Sequence, residues 1–171
     1  MKLGYFNFLR MEPNEQLQWT KWSSLSLAVG SRKPPDTRED SMRQRLRQEI
    51  ELLQKAYGTV ESDPDISWIV VKNVQLPDGW NRDQTDILIK IPPGYPTTQP
   101  DNFFVDSTLR LSNDQKPNRA PQEESIGSRD WLMFSFHLDG SGEWQPEAEI
   151  ENGHNLLTYL EGIKGRLAEP D

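Results

Sequence analysis

Apolar residues along this chain recur with two different periods, and the change from one to the other divides it into elements. Met42, Leu46, Ile50, Leu53 and Tyr57 are spaced three or four residues apart, which places all five on one stripe of a helix. Thr37 and Asp40 make an approximate capping box ahead of it, and Gly58 suits the left-handed conformation that closes a helix. Arg43, Arg45 and Arg47 are followed at once by Glu49 and Glu51, a mixed run expected on the solvated face, with the arginines opposing the helix dipole. A second stripe, Leu156, Leu160, Ile163 and Leu167, predicts another helix.

Between the two stripes the period shortens. Residues 66–71 are rich in β-branched and aromatic side chains and follow the turn-forming Ser62-Asp63-Pro64-Asp65. After a loop at Leu76-Pro77-Asp78-Gly79, the isoleucines Ile87, Ile89 and Ile91 alternate with Leu88 and Lys90, the pattern of a strand with one strongly buried face. The run Pro92-Pro93-Gly94-Tyr95-Pro96 stops it, because proline cannot donate to a ladder. A short strand over 102–106 follows, then a polar stretch over 107–130 read as one long loop. Residues 131–138, Trp-Leu-Met-Phe-Ser-Phe-His-Leu, read as a buried strand, with Trp131, Phe134 and Phe136 in the core, ended by the turn Asp139-Gly140-Ser141-Gly142.

Strands gathered between two helices, with no helical crossover and no internal repeat, predict an α+β fold with an antiparallel sheet of about four strands. The domain is expected over 38–168. Residues 1–37 lack a sustained period and end in Ser31-Arg32-Lys33-Pro34-Pro35-Asp36, so they read as an appendage or linker. Two accounts of it stay open: a segment ordered only against a partner, or a leader preceding a functional start at Met42.

Composition narrows the chemistry. Six tryptophans, six phenylalanines and four tyrosines supply large apolar bodies to a polar chain and argue against wholesale disorder. A net charge of −8 repels phosphate backbones and anionic lipid, so neither nucleic acid nor membrane is an expected partner. The chain has no cysteine, which excludes disulfides, thiolate metal sites and thiol nucleophiles within it. There is no apolar run long enough to span a bilayer and no secretory leader, and a cytoplasmic location is expected.

No phosphate-binding glycine pattern, His-Glu-x-x-His helix or EF-hand loop is present, and no cofactor is expected. The histidines, His137 and His154, are far apart and lack a third ligand, so no metal site is expected either. On a strand, Ser135 and His137 would share a face, the direction needed for a base beside a hydroxyl. A hydrolase built on them, with Asp139 as orienter, is weakened because all three would point the same way rather than form a relay. A structural role for His137 is the simpler reading.

The motif order then brings in a resemblance. A first amphipathic helix, strands leading into Ile91-Pro92-Pro93-Gly94-Tyr95-Pro96-Thr97-Thr98-Gln99-Pro100, then Phe103-Phe104-Val105, resembles the ubiquitin-conjugating-enzyme (UBC-like) superfamily. Trp144-Gln145-Pro146 ahead of the last helix is similar to the superfamily's Trp-x-Pro element. Residues 131–137 with Trp144-Gln145-Pro146 and Leu157-Thr158-Tyr159-Leu160 resemble, more narrowly, prokaryotic UBC-like family E.

The resemblance implies a UBC-like sheet with a helix at each end and a bacterial pathway whose partners are a ubiquitin-like protein and an adenylating, activating enzyme. It also implies that Tyr95, Pro96, Trp131, Trp144 and Pro146 are groove or fold landmarks. Both the family's catalytic cysteine and its His-Pro-Asn tripeptide are missing. Ser135 and His137 occupy the neighbourhood of the missing thiol, but a serine hydroxyl is far less ionised and its ester transfers less readily. The expectation is therefore binding or carriage of a ubiquitin-like modifier without thioester chemistry. The alternative is a noncatalytic interaction domain of the RWD or UEV kind.

Overall fold

The computed structural model describes residues 37–117, 122–138 and 144–169, all within the unit Thr37–Asp171. The expected appendage, up to residue 36, lies outside the described residues, as does the turn expected over Asp139-Gly140-Ser141-Gly142.

Helix α1 spans Thr37–Tyr57 and ends where Gly58 takes a φ of 89° and donates its N–H to the Gln54 carbonyl. Because α1 begins at Thr37, Glu39 and Asp40 fall in its first turn and favour the dipole, while Lys55 does so in the last. The arginines at 43–47 lie beyond the first turn, and Met42 lies inside the helix. Strands β1 (Val60–Ser62), β2 (Trp68–Gln75), β3 (Gln84–Lys90), β4 (Phe103–Asp106), β5 (Gln122–Ile126) and β6 (Arg129–Phe134) follow. A single 3-10 turn, Ile150–Asn152, precedes helix α2, Leu156–Leu167. The fold is α+β, with one antiparallel sheet in the order β1-β2-β3-β4-β6-β5.

Among the described residues six strands form where the sequence suggested about four. The polar 107–130 stretch is not one long loop: it holds β5 and the start of β6, joined through Gly127 at φ 64°. β5 escapes a period-2 reading because it is an edge strand, Gln-Glu-Glu-Ser-Ile, polar at every position but the last. The strand expected over 131–138 ends instead at Phe134. Its neighbour β4 begins at Phe103, which pairs with Phe134, and Asn102 just before it turns to a φ of 64°, so the regular ladder stops at that point. β2 runs later than expected and carries a register shift between Val71 and Val74, where Asn73 adopts a φ of 55°.

One sheet face packs on both helices. Ile69, Val71, Ile87, Ile89, Phe103, Val105, Leu132 and Phe134 share a buried cluster with Leu46 and Leu53 of α1 and with Leu156, Leu160, Ile163 and Leu167 of α2. Trp80 joins them, its indole N–H donating to the Leu167 carbonyl at 2.9 Å. The opposite face buries a smaller cluster, Val70, Leu88, Phe104 and Trp131. Long cationic side chains cover it: Lys90 lies 4.9 Å from the Phe104 ring centroid and Arg129 lies 4.5 Å from that of Trp131. Among the described residues no helix is long and apolar enough to cross a membrane.

Asp86 anchors the charges on this second face, with Lys72 at 2.6 Å and Arg129 at 2.7 Å. Burial pushes its carboxyl up, but hydrogen bonds from Lys72 and Arg129 outweigh burial and hold it below the ordinary 3.8. A carboxyl depressed by folding adds stability above its unfolded value and loses that contribution as pH falls through the folded one. Asp86→Asn is therefore expected to lower stability at neutral pH, and its difference from the unaltered protein should shrink as pH falls below 3.8; urea titrations across a pH series measure this. Leu53→Ala, at a fully buried position facing the sheet, should cost about 2–5 kcal/mol in the same titration at neutral pH.

Candidate functional site

Three irregular segments meet at the end of the sheet where β3 stops, β4 starts and β6 stops. They are the proline-rich turn of residues 91–102, residues 135–138, and the Trp144-Gln145-Pro146 segment leading toward α2. In the turn, the Tyr95 N–H donates to the Pro92 carbonyl at 2.9 Å and the Thr98 N–H to the Gly94 carbonyl at 2.9 Å. The Tyr95–Pro96 peptide is cis, and the Tyr95 ring is buried.

Beneath the turn sits a carboxylate that the sequence reading placed on the solvated face of α1. Glu49 is fully buried, with 0% of its surface exposed. One carboxylate oxygen accepts from the Arg45 Nε at 2.6 Å; the other accepts the Tyr95 hydroxyl and, at 2.9 Å, the backbone N–H of Leu156. Leu156 is the first residue of α2, so the negative charge lies at the positive end of that helix. Asn155 completes the cap. Its side chain accepts from the Leu157 N–H at 2.9 Å and the Thr158 N–H at 3.0 Å, while the Thr158 hydroxyl accepts the Asn155 N–H at 2.9 Å.

The signal for Glu49 was available. It stands three residues after Leu46 and four before Leu53, on the apolar stripe itself, so its neighbours in the charged run misdirected the reading. Asn155-x-x-Thr158 was likewise a legible cap.

Trp144 closes the site from the other side. Its indole N–H donates to the Pro96 carbonyl at 2.5 Å, and its ring lies 6.2 Å from Tyr95 and 6.3 Å from Tyr159, centroid to centroid. Tyr159 links this wall to residues 135–138: its hydroxyl donates toward the Asn102 carbonyl at 3.2 Å and lies 3.4 Å from that of Phe136, whose ring packs edge-on against it at 5.4 Å. The Asn102 N–H reaches the same Phe136 carbonyl at 3.1 Å, so the segment past β6 continues the pairing irregularly.

Tyr95, Pro96 and Trp144 thus come together, with Pro146 half-buried two residues on. Trp131 does not join them. It is buried on the opposite sheet face, in the second cluster, and donates its indole N–H to the Ile126 carbonyl at 3.3 Å. Ser135 and His137 flank Phe136 and are both exposed. His137 pairs through Nδ1 with Asp101 at 3.2 Å, and no hydrogen bond joins it to Ser135 among the described residues.

The chemistry of this end is that of a wall rather than a nucleophile. Burial first, and then the charge of Glu49, pushes the Tyr95 phenol far above its ordinary value. Burial does the same to Tyr159, helped by Asp101. Both phenols stay protonated at neutral pH and act as donors. Among the described residues no group of three or more histidines and carboxylates is placed to hold a metal ion.

A small antiparallel sheet between two helices, with a Tyr-Pro turn and a Trp-x-Pro segment closing on each other over the start of the second helix, defines an E2-like domain. The family model for prokaryotic E2 family E matches residues 46–169, and the chain belongs to that family. No curated protein and no solved structure matches it.

Tyr95→Phe removes one donor from a buried carboxylate and should cost about 1.5–3 kcal/mol. Glu49→Ala should cost more, about 3–5 kcal/mol, because it removes the charge partner of Arg45 and leaves the Arg45 Nε–H and the Leu156 N–H without an acceptor. Urea unfolding of the two variants and of the double variant measures both costs, and the double should fall short of their sum.

Proposed function

We propose that this E2-like chain binds or carries a ubiquitin-like modifier in a bacterial conjugation system, with an adenylating enzyme as its second partner, and that it does so without a thioester. The observation that carries this reading is a conjunction. The proline-aromatic turn and the Trp144 segment are held against each other by a buried network, while the chain has no sulfur nucleophile to place beside them. A serine ester on Ser135 is disfavoured. A serine hydroxyl needs a base within reach, and among the described residues no hydrogen bond joins Ser135 to the His137 imidazole, whose Nδ1 pairs with Asp101. The Ser-His hydrolase is not proposed on the same ground.

The wall offers what a partner surface needs, a half-exposed indole and two prolines on a rigid support, with Trp144 as the anchor. Purified chain mixed with its modifier, activating enzyme and ATP should give a complex on size exclusion and no covalent adduct on denaturing gels. Trp144→Ala should weaken that complex by about tenfold or more, and Ser135→Ala should leave it unchanged. An adduct that disappears in Ser135→Ala would replace carriage by an oxyester mechanism, and no binding of either partner would overturn the reading.

A further inference from the structure

His154 stands at the junction between the Trp144-Gln145-Pro146 segment and α2, and its contacts have a direction. The Gln145 N–H donates to the His154 ring Nδ1 at 2.9 Å, and the His154 N–H donates back to the Gln145 carbonyl at 2.8 Å. The imidazole also stacks on the Trp144 ring, with centroids 5.4 Å apart and planes 20° from parallel. The chain is drawn tight here: a Cβ on Gly153 would lie 2.5 Å from the Glu147 nitrogen and 2.7 Å from the Gln145 oxygen, so the backbone of the clasped segment leaves no room for one. Two contacts therefore hold the Trp144 segment by its neighbour, and one of them requires a lone pair on Nδ1.

We infer that His154 is the positioning residue of the Trp144 wall and that a proton on its Nδ1 releases the wall. A nitrogen that accepts a hydrogen bond must be unprotonated, so the neutral ring carries its hydrogen on Nε2. Protonation puts an N–H on Nδ1, facing the Gln145 N–H, and two donors cannot share that contact. The ring must turn or withdraw, and the Gln145 amide loses its partner. Stacking on Trp144 is compatible with either charge, since an imidazolium is attracted to an indole face, so the hydrogen bond is what the proton removes.

Charged and titratable groups face this junction from each packed element. Arg45 of α1 donates to the His154 carbonyl at 3.3 Å, and Glu49 sits behind Arg45. Glu147 lies on the clasped segment and gives its carbonyl to Arg45, Tyr95 faces Trp144 from the turn, and Tyr159 does so from α2. Among the described residues the only hydrogen bond to Nδ1 comes from Gln145, so none of these groups replaces it.

The latch is independent of the proposed function; its consequence, weaker modifier binding when it opens, rests on that reading. The test uses the full chain, labelled with nitrogen-15, at pH 8 and pH 5. The signals are the Gln145 amide, the His154 ring nitrogens and the Trp144 indole N–H, the last assigned with Trp144→Phe. At pH 8 the ring should show the Nε2–H tautomer. At pH 5 the Gln145 amide should move upfield and the indole signal should shift with it.

His154→Asn keeps an acceptor oxygen at the position of Nδ1 but cannot titrate, so its Gln145 and Trp144 signals should stay in place at both pH values. His154→Ala should show the open positions at both. An Nδ1–H tautomer at pH 8, or a His154→Asn variant that responds to pH as the unaltered chain does, overturns the inference. Absent modifier binding in every variant would sink the proposed function and leave the latch standing.

Discussion

The Glu49 carboxylate is the contact on which the arrangement of this domain turns. A fully buried carboxylate is costly unless both oxygens are hydrogen-bonded, and here Arg45, Tyr95 and the Leu156 N–H do that. Those partners come from α1, from the turn after β3 and from the first residue of α2. One side chain therefore fixes three elements that are distant in sequence. Apolar packing brings the two helices onto the same sheet face, but packing is non-directional and would tolerate a slide of α2 along its axis. A hydrogen bond from the first N–H of α2 to a fixed oxygen does not. The same contact places an opposite charge at the positive end of the helix, so register and dipole are satisfied together.

From this anchor the candidate site follows. Tyr95, held from below by Glu49, presents its ring to Trp144, and Trp144 is tied to the Pro96 carbonyl and clasped through Gln145 by His154. Tyr159, one turn into α2, is carried into position by the same cap and closes the wall toward Phe136. Each member sits on a neighbour that is itself fixed, the preorganisation that a recognition surface requires.

Much of this was legible in the residues, and the failures have physical causes. Both helices announced themselves because their apolar positions keep a 3.6 period over several turns, and the isoleucines of β3 alternated cleanly. Tyr95 and Trp144 were marked by proline-aromatic strings rather than by periodicity. β5 was invisible because an edge strand has no obligation to alternate. The segment past Phe134 looked like strand because it is apolar, yet a regular ladder needs an extended partner, and Asn102 opposite it leaves the extended region at a φ of 64°. Glu49 was hidden by company: in a run of alternating charges its helical position, not its type, distinguished it from the solvated Glu51.

These connections also make helix docking and site geometry one equilibrium. The Tyr95 hydroxyl and the Leu156 N–H share a single Glu49 oxygen, so any motion of α2 away from α1 alters the footing of the Tyr95 ring, and any displacement of Tyr95 loosens the start of α2. Coupling of that kind is reciprocal by thermodynamic necessity. A partner that binds only the closed pairing of Tyr95 with Trp144 must raise the stability of the α1–α2 junction by the free energy that closure contributes to its binding. Conversely, a change that loosens the junction weakens such a partner without touching it. The footing of the Tyr95–Trp144 pair is then set by the buried carboxylate as much as by the half-buried indole itself.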